Sequence, residues 1–76
     1  MEKLYEILSD CRPDVDFHNE KKLIDDGILE SLDIVMIVSE LSENYDIEID
    51  IDEITPDNLN SAEAMYELIE KLQNEG

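Results

Sequence analysis

Apolar residues recur along this chain mostly at helical spacing. Over residues 2 to 11, Leu4, Ile7, Leu8 and Cys11 stand at i, i+3, i+4 and i+7 with acids between them. That is the single stripe of an amphipathic helix, and Pro13 stops its continuation. Over residues 31 to 45, SLDIVMIVSELSENY, the same spacing sets Ile34, Ile37, Val38, Leu41 and Tyr45 on one face, predicting a second helix that ends at Asn44 and Asp46. Met65, Leu68, Ile69 and Leu72 repeat the stripe near the C-terminus, with Asn60 or Ser61 placed to cap that helix. Just before it, Thr55 and Pro56 predict a short helical turn through Leu59, because proline suits the first position of a helix.

Two stretches depart from this spacing. DIEIDIDEI, residues 46 to 54, alternates apolar and acidic residues as a strand does. The chain offers no second strand to pair with it, so an extended loop is the expectation. From Asp14 to Glu30 periodicity fades, leaving Phe17, Leu23, Ile24, Ile28 and Leu29 scattered around a flexible point at Gly27. A connection this long is uncommon in a small domain unless it has a task, and its apolar residues are expected to lie over the core. The resulting picture is all-α: a small bundle of three longer helices and one short helical turn, with a long loop between the first two helices. Neither a repeat nor a second domain is visible, so residues 1–76 read as one domain.

The second helix has more apolar residues than one core face holds. Leu32, Val35, Met36 and Ser39 form a second strip at i, i+3, i+4 and i+7, bordered by Asp33, Glu40 and Glu43. Two accounts fit such a pattern: a central helix buried on two sides, or an exposed docking strip with an acidic rim.

Composition narrows the partners. The 76 residues hold 22 Asp plus Glu against 5 Lys plus Arg, a formal charge of −17. A nucleic-acid binder needs a basic footprint, which this chain lacks; basic surfaces are the expected partners, met through charge-steered association. Acidity with few aromatics also occurs in disordered chains, but here 42% of residues are hydrophobic and they fall in periodic blocks. Cys11 is the lone cysteine, so no intrachain disulfide or cysteine zinc site can form. No apolar run reaches the length of a membrane span and the N-terminus MEKLYEILSD lacks a signal-peptide pattern; a cytoplasmic monomer is expected.

Candidate chemistry centres on Ser31, in GILESLDIV. A serine opening a helix is usually its N-cap. A hydrolytic nucleophile would need a base and an oxyanion hole, yet LESLD is no G-x-S-x-G elbow and His18 is the only histidine. The start of a helix does offer unpaired N–H groups and the positive end of a dipole, which suit a bound or covalently attached phosphate. Asp14, Asp16, His18, Glu20, Lys22 and Asp25 loosely follow a calcium loop, but Asn19 replaces its turn glycine, Lys22 falls at a ligand position, and Asp25 ends it in place of glutamate. No metal site is expected.

LIDDGILESLDIVMIVSELSENYDIEI resembles the carrier-protein family, which includes acyl carrier proteins, peptidyl carrier domains and D-alanyl carrier proteins. The similarity spans essentially the whole chain. The family motif, usually Asp-Ser-Leu at the start of the second helix of a four-helix bundle, is matched by Glu30, Ser31 and Leu32; Tyr45 matches an aromatic fourteen residues after the serine. EITPDNLNSAEAMYELI is similar to the corresponding segment of stand-alone D-alanyl carriers. The departure is Glu30, one methylene longer than the usual aspartate.

The resemblance implies that Ser31 receives 4′-phosphopantetheine from coenzyme A, and that the arm's thiol then carries acyl or aminoacyl groups as thioesters. It implies a protein that is a substrate and handle and not an enzyme. Its partners would be a phosphopantetheinyl transferase, an acyl- or aminoacyl-activating ligase and a downstream acyltransferase or synthase. Their contact is expected on Glu30, Leu32, Asp33, Val35, Met36, Ser39, Glu40 and Glu43. Two other classes stay open: a carrier-like acidic helical interaction module that is never modified, and an unrelated acidic helical binding protein.

Overall fold

A computed structural model describes residues 1–75. Four helices follow one another: α1 (Glu2–Cys11), α2 (Ser31–Tyr45), α3 (Pro56–Leu59) and α4 (Ala62–Glu75), with a 3-10 turn at Ile51–Glu53. No strand forms among the described residues, so the expected all-α bundle is the observed fold. α1 packs against α2, α4 contacts both, and α3 lies against α4.

Each longer helix buries the centre of the stripe its spacing marked, with Cys11 and Leu72 half-buried at the ends. Leu4, Ile7 and Leu8 from α1 meet Ile37 and Leu41 from α2, and Ala62, Met65 and Ile69 from α4. Ile34, Val38 and Tyr45 are half-buried at the margin of the α2 face. Thr55 caps α3, its hydroxyl oxygen accepting the Asn58 N–H at 3.3 Å, with Pro56 in the first position. At α4 the cap is Ser61, whose oxygen accepts the Ala64 N–H at 3.1 Å.

Asn60, the other cap candidate, serves the long loop. Its Oδ1 accepts the N–H groups of Ile24 and Asp25 at 3.0 and 3.1 Å, its amide donates to Asp25 at 3.0 Å, and its carbonyl accepts the Leu23 N–H at 2.9 Å. Phe17, Leu23 and Leu29 are buried, and Ile24 and Ile28 half-buried. Burying each of the first three contributes roughly 1.5–3 kcal/mol, which holds a segment without regular structure on one path over the core.

Residues 46 to 54 depart in part from the extended loop expected. Asp46 ends α2 in the left-handed region (φ 53°), the chain then runs irregularly, and Ile51–Glu53 tightens into the 3-10 turn. Alternation survives as burial: Ile47 and Ile49 are half-buried, whereas Ile51, at the start of the turn, is exposed. No helix among the described residues is long and apolar enough to cross a membrane.

Candidate functional site

The approach to α2 is fixed from below. Gly27 turns the chain at φ +70°, a conformation that costs glycine least, and the Leu29 N–H bonds to the Leu23 carbonyl at 3.0 Å with the leucine side chain buried. Anchoring Leu29 inward sends the next two residues outward. Glu30 is extended (φ −94°, ψ 171°) and holds the N-cap position, so Ser31 is not the cap but the first residue inside the helix. The reason is local: Asp33, three residues on, accepts the Glu30 N–H at 3.0 Å and makes Glu30 the boundary. Ser31 is exposed, between Glu30 and Asp33, which form a reciprocal capping box with Arg12 bound to Asp33. The helical ladder begins with the Ile34 N–H on the Glu30 carbonyl at 3.0 Å, leaving first-turn N–H groups outside it.

Asp33 differs from its expected place on the acidic rim. Its side chain is only 14% exposed, because Oδ2 also takes a guanidinium N–H of Arg12 at 2.5 Å. Arg12 reaches the Ile28 carbonyl at 3.3 Å and binds Asp14 through Nε and Nη2, each at 2.9 Å. Its hydrogen bonds to Asp14 and Asp33 push the guanidinium pKa up, and the bond from Arg12 holds the Asp14 carboxyl down at about 2. Sequence spacing gives no hint of this cluster. The only signal is that Arg12 is the sole arginine, set two residues before an aspartate at the end of α1.

The remaining strip residues face solvent. Leu32, Val35 and Met36 are 80, 65 and 46% exposed, and Ser39, Glu30, Glu40 and Glu43 are exposed beside them. α2 is therefore buried on one side only. Met36 and Glu40 also line a shallow groove of about 300 Å³ with Ile7, Asp10, Cys11 and Asn44 of α1 and α2. Burial, followed by the charges of Glu40, Asp10 and Asp33, pushes the Cys11 thiol pKa up; at neutral pH it is a protonated, poor nucleophile. His18 stacks on the Tyr5 ring with centroids 3.7 Å apart. What this surface presents is a solvent-facing hydroxyl at the positive end of a helix, flanked by an apolar strip and carboxylates.

Compared with known proteins, the chain matches no family model, no curated protein and no solved structure.

Proposed function

We propose that this chain is a carrier protein: 4′-phosphopantetheine, transferred from coenzyme A to the Ser31 hydroxyl, holds acyl or aminoacyl groups as thioesters for transfer between enzymes. One observation carries the reading. Ser31 occupies the first position of α2, exposed, with the exposed Leu32, Val35 and Met36 continuing along the same helix. A phosphodiester there lies beside first-turn N–H groups and the positive helix end, which favour an anion. The arm supplies the thiol that the reactive chemistry needs; the chain itself supplies an accessible oxygen on a rigid helix and is not an enzyme.

The exposed strip and its acids are where a phosphopantetheinyl transferase, an activating ligase and a downstream acyltransferase or synthase would bind and release. A basic partner surface is steered by the −17 charge and meets a small apolar contact. The docking residues are Glu30, Leu32, Val35, Met36, Ser39, Glu40 and Glu43. Asp33 belongs to the support of the site, given its bond to Arg12. A cytoplasmic monomer suits a chain whose one cysteine is unpaired.

The test is the intact mass after incubation with coenzyme A and a broad-specificity phosphopantetheinyl transferase. One phosphopantetheine per chain is expected, with none on Ser31→Ala while the helical signal persists. A wild type that never gains the arm would sink the carrier reading and leave an unmodified interaction module.

A further inference from the structure

One carboxylate oxygen serves two partners at the start of α2. Asp33 Oδ2 accepts the Glu30 N–H at 3.0 Å and the Arg12 guanidinium at 2.5 Å. Arg12 is also where α1 ends, its N–H closing on the Leu8 carbonyl at 2.9 Å. Its other donors reach Asp14 and the carbonyl of Ile28, at opposite ends of the long loop. The end of α1, both ends of that loop and the first turn of α2 thus meet at one cation, whose side chain is 26% exposed.

We infer that Arg12 is a positioning residue for Ser31, acting through Asp33. The first turn of a helix has the fewest internal bonds and frays unless capped. Here Glu30 and Asp33 cap the turn reciprocally, the Asp33 carboxylate accepting the Glu30 N–H and the Glu30 side chain accepting the Asp33 N–H, and Ser31 lies between them. The cap alone is local, since Asp33 and Glu30 are three residues apart; it closes the turn without fixing where the turn points. Arg12 adds the long-range tie, across 21 residues of sequence. A charge-assisted bond of this kind is roughly twice as strong as a neutral one. Losing it frees the helix start from α1 and the loop, while the core of α2, held by Ile37 and Leu41, stays packed. Ser31 then samples directions in which its hydroxyl is misplaced for transfer, and misplacement lowers turnover more than binding.

Arg12→Gln tests this by two independent readouts. Amide hydrogen exchange at Glu30 should speed up roughly tenfold, while the amides of Ile37 and Leu41 keep their wild-type protection. Transfer of phosphopantetheine to Ser31 should lose about tenfold in kcat, with KM for the protein changed less than about twofold. The transfer readout rests on the carrier function proposed above and the exchange readout does not: a wild type that takes no arm defeats that function and leaves the Glu30 amide to decide the role of Arg12. The double variant Arg12→Asp with Asp33→Arg restores an ion pair but gives Glu30 no acceptor, so fast exchange and slow transfer should persist. Arg12→Lys, which keeps the charge without the fork, should fall between wild type and Arg12→Gln in both. Unchanged Glu30 exchange in Arg12→Gln, or full transfer in the swapped pair, would show an ion pair that only adds stability and would overturn the inference.

Discussion

The Lys3 ammonium donates to the Asn44 carbonyl at 2.9 Å and lies 4.8 Å from the centre of the Tyr45 ring, so a residue of the first turn of α1 closes the last turn of α2. α2 has no basic residue in that turn, where carbonyl groups and the negative dipole end call for one. Such contacts use most of the few cations present. Arg12 binds Asp14 and Asp33, Lys21 pairs with Glu63, and Lys71 approaches Glu53 at 3.7 Å. In a chain with 5 basic residues and 22 acidic ones, four of the basic residues, Lys3, Arg12, Lys21 and Lys71, sit at contacts between segments.

Lys3→Met keeps an apolar stem and removes the donor and charge. It should lower stability by about 1 kcal/mol, combining a charged hydrogen bond, the dipole and the ring contact at an exposed site. Lys3→Glu should cost more, because it sets a like charge against the same carbonyls. Urea midpoints of the two variants check both the size and the order; equal midpoints in all three proteins would mean that α2 needs no cation at its end.

Acid should weaken the same network from the other side. The bond from Arg12 lowers the Asp14 carboxyl from an ordinary 3.8 to about 2. The bond from Asn19 lowers Asp16 and that from Lys21 lowers Glu63. A carboxylate with a depressed folded value stabilises the fold above its unfolded pKa, and this contribution disappears as pH falls through the folded one. The melting midpoint should therefore drop between about pH 4 and about pH 2, and the drop should be shallower in Asp14→Asn. Thermal melts across that window decide it, a slope identical in both proteins being the contrary result.

The helices were legible because their spacing is local. Leu4, Ile7, Leu8 and Cys11 or Met65, Leu68 and Ile69 mark a face within a dozen residues, and Thr55 with Pro56 mark a helix start within two. What the spacing does not carry is long-range pairing. Asn60 spends its side chain on Ile24 and Asp25 rather than on α4, and Asp33 turns to Arg12 rather than to solvent; neither partner is near in sequence. The position of Ser31 shows the same limit at short range. A serine, a glutamate and an aspartate within four residues all suit a helix start, and the capping box between Glu30 and Asp33 puts the boundary one residue before Ser31.

The two faces of α2 should separate under mutation. Leu41 is fully buried among Leu4, Leu8 and Met65 in the core cluster, so Leu41→Ala should cost roughly 2–5 kcal/mol, enough to unfold a domain of this size in mild urea. Met36 is the obvious probe of the outer strip, but it is less exposed than Leu32 and Val35 and lines the groove with Ile7 and Cys11, so a lysine there mixes packing with docking. Val35, 65% exposed, is the cleaner position. Val35→Lys replaces a β-branched residue with a better helix former, so its urea midpoint should stay near wild type. Its added positive charge opposes a basic partner surface, and the lost isopropyl group leaves an apolar contact unfilled. Phosphopantetheine transfer should slow by about tenfold, mainly through KM, the opposite split from that expected of Arg12→Gln. Urea melts and steady-state transfer rates on Val35→Lys and Leu41→Ala settle the assignment: if Val35→Lys transfers at the wild-type rate, the exposed strip is not where the transferase docks.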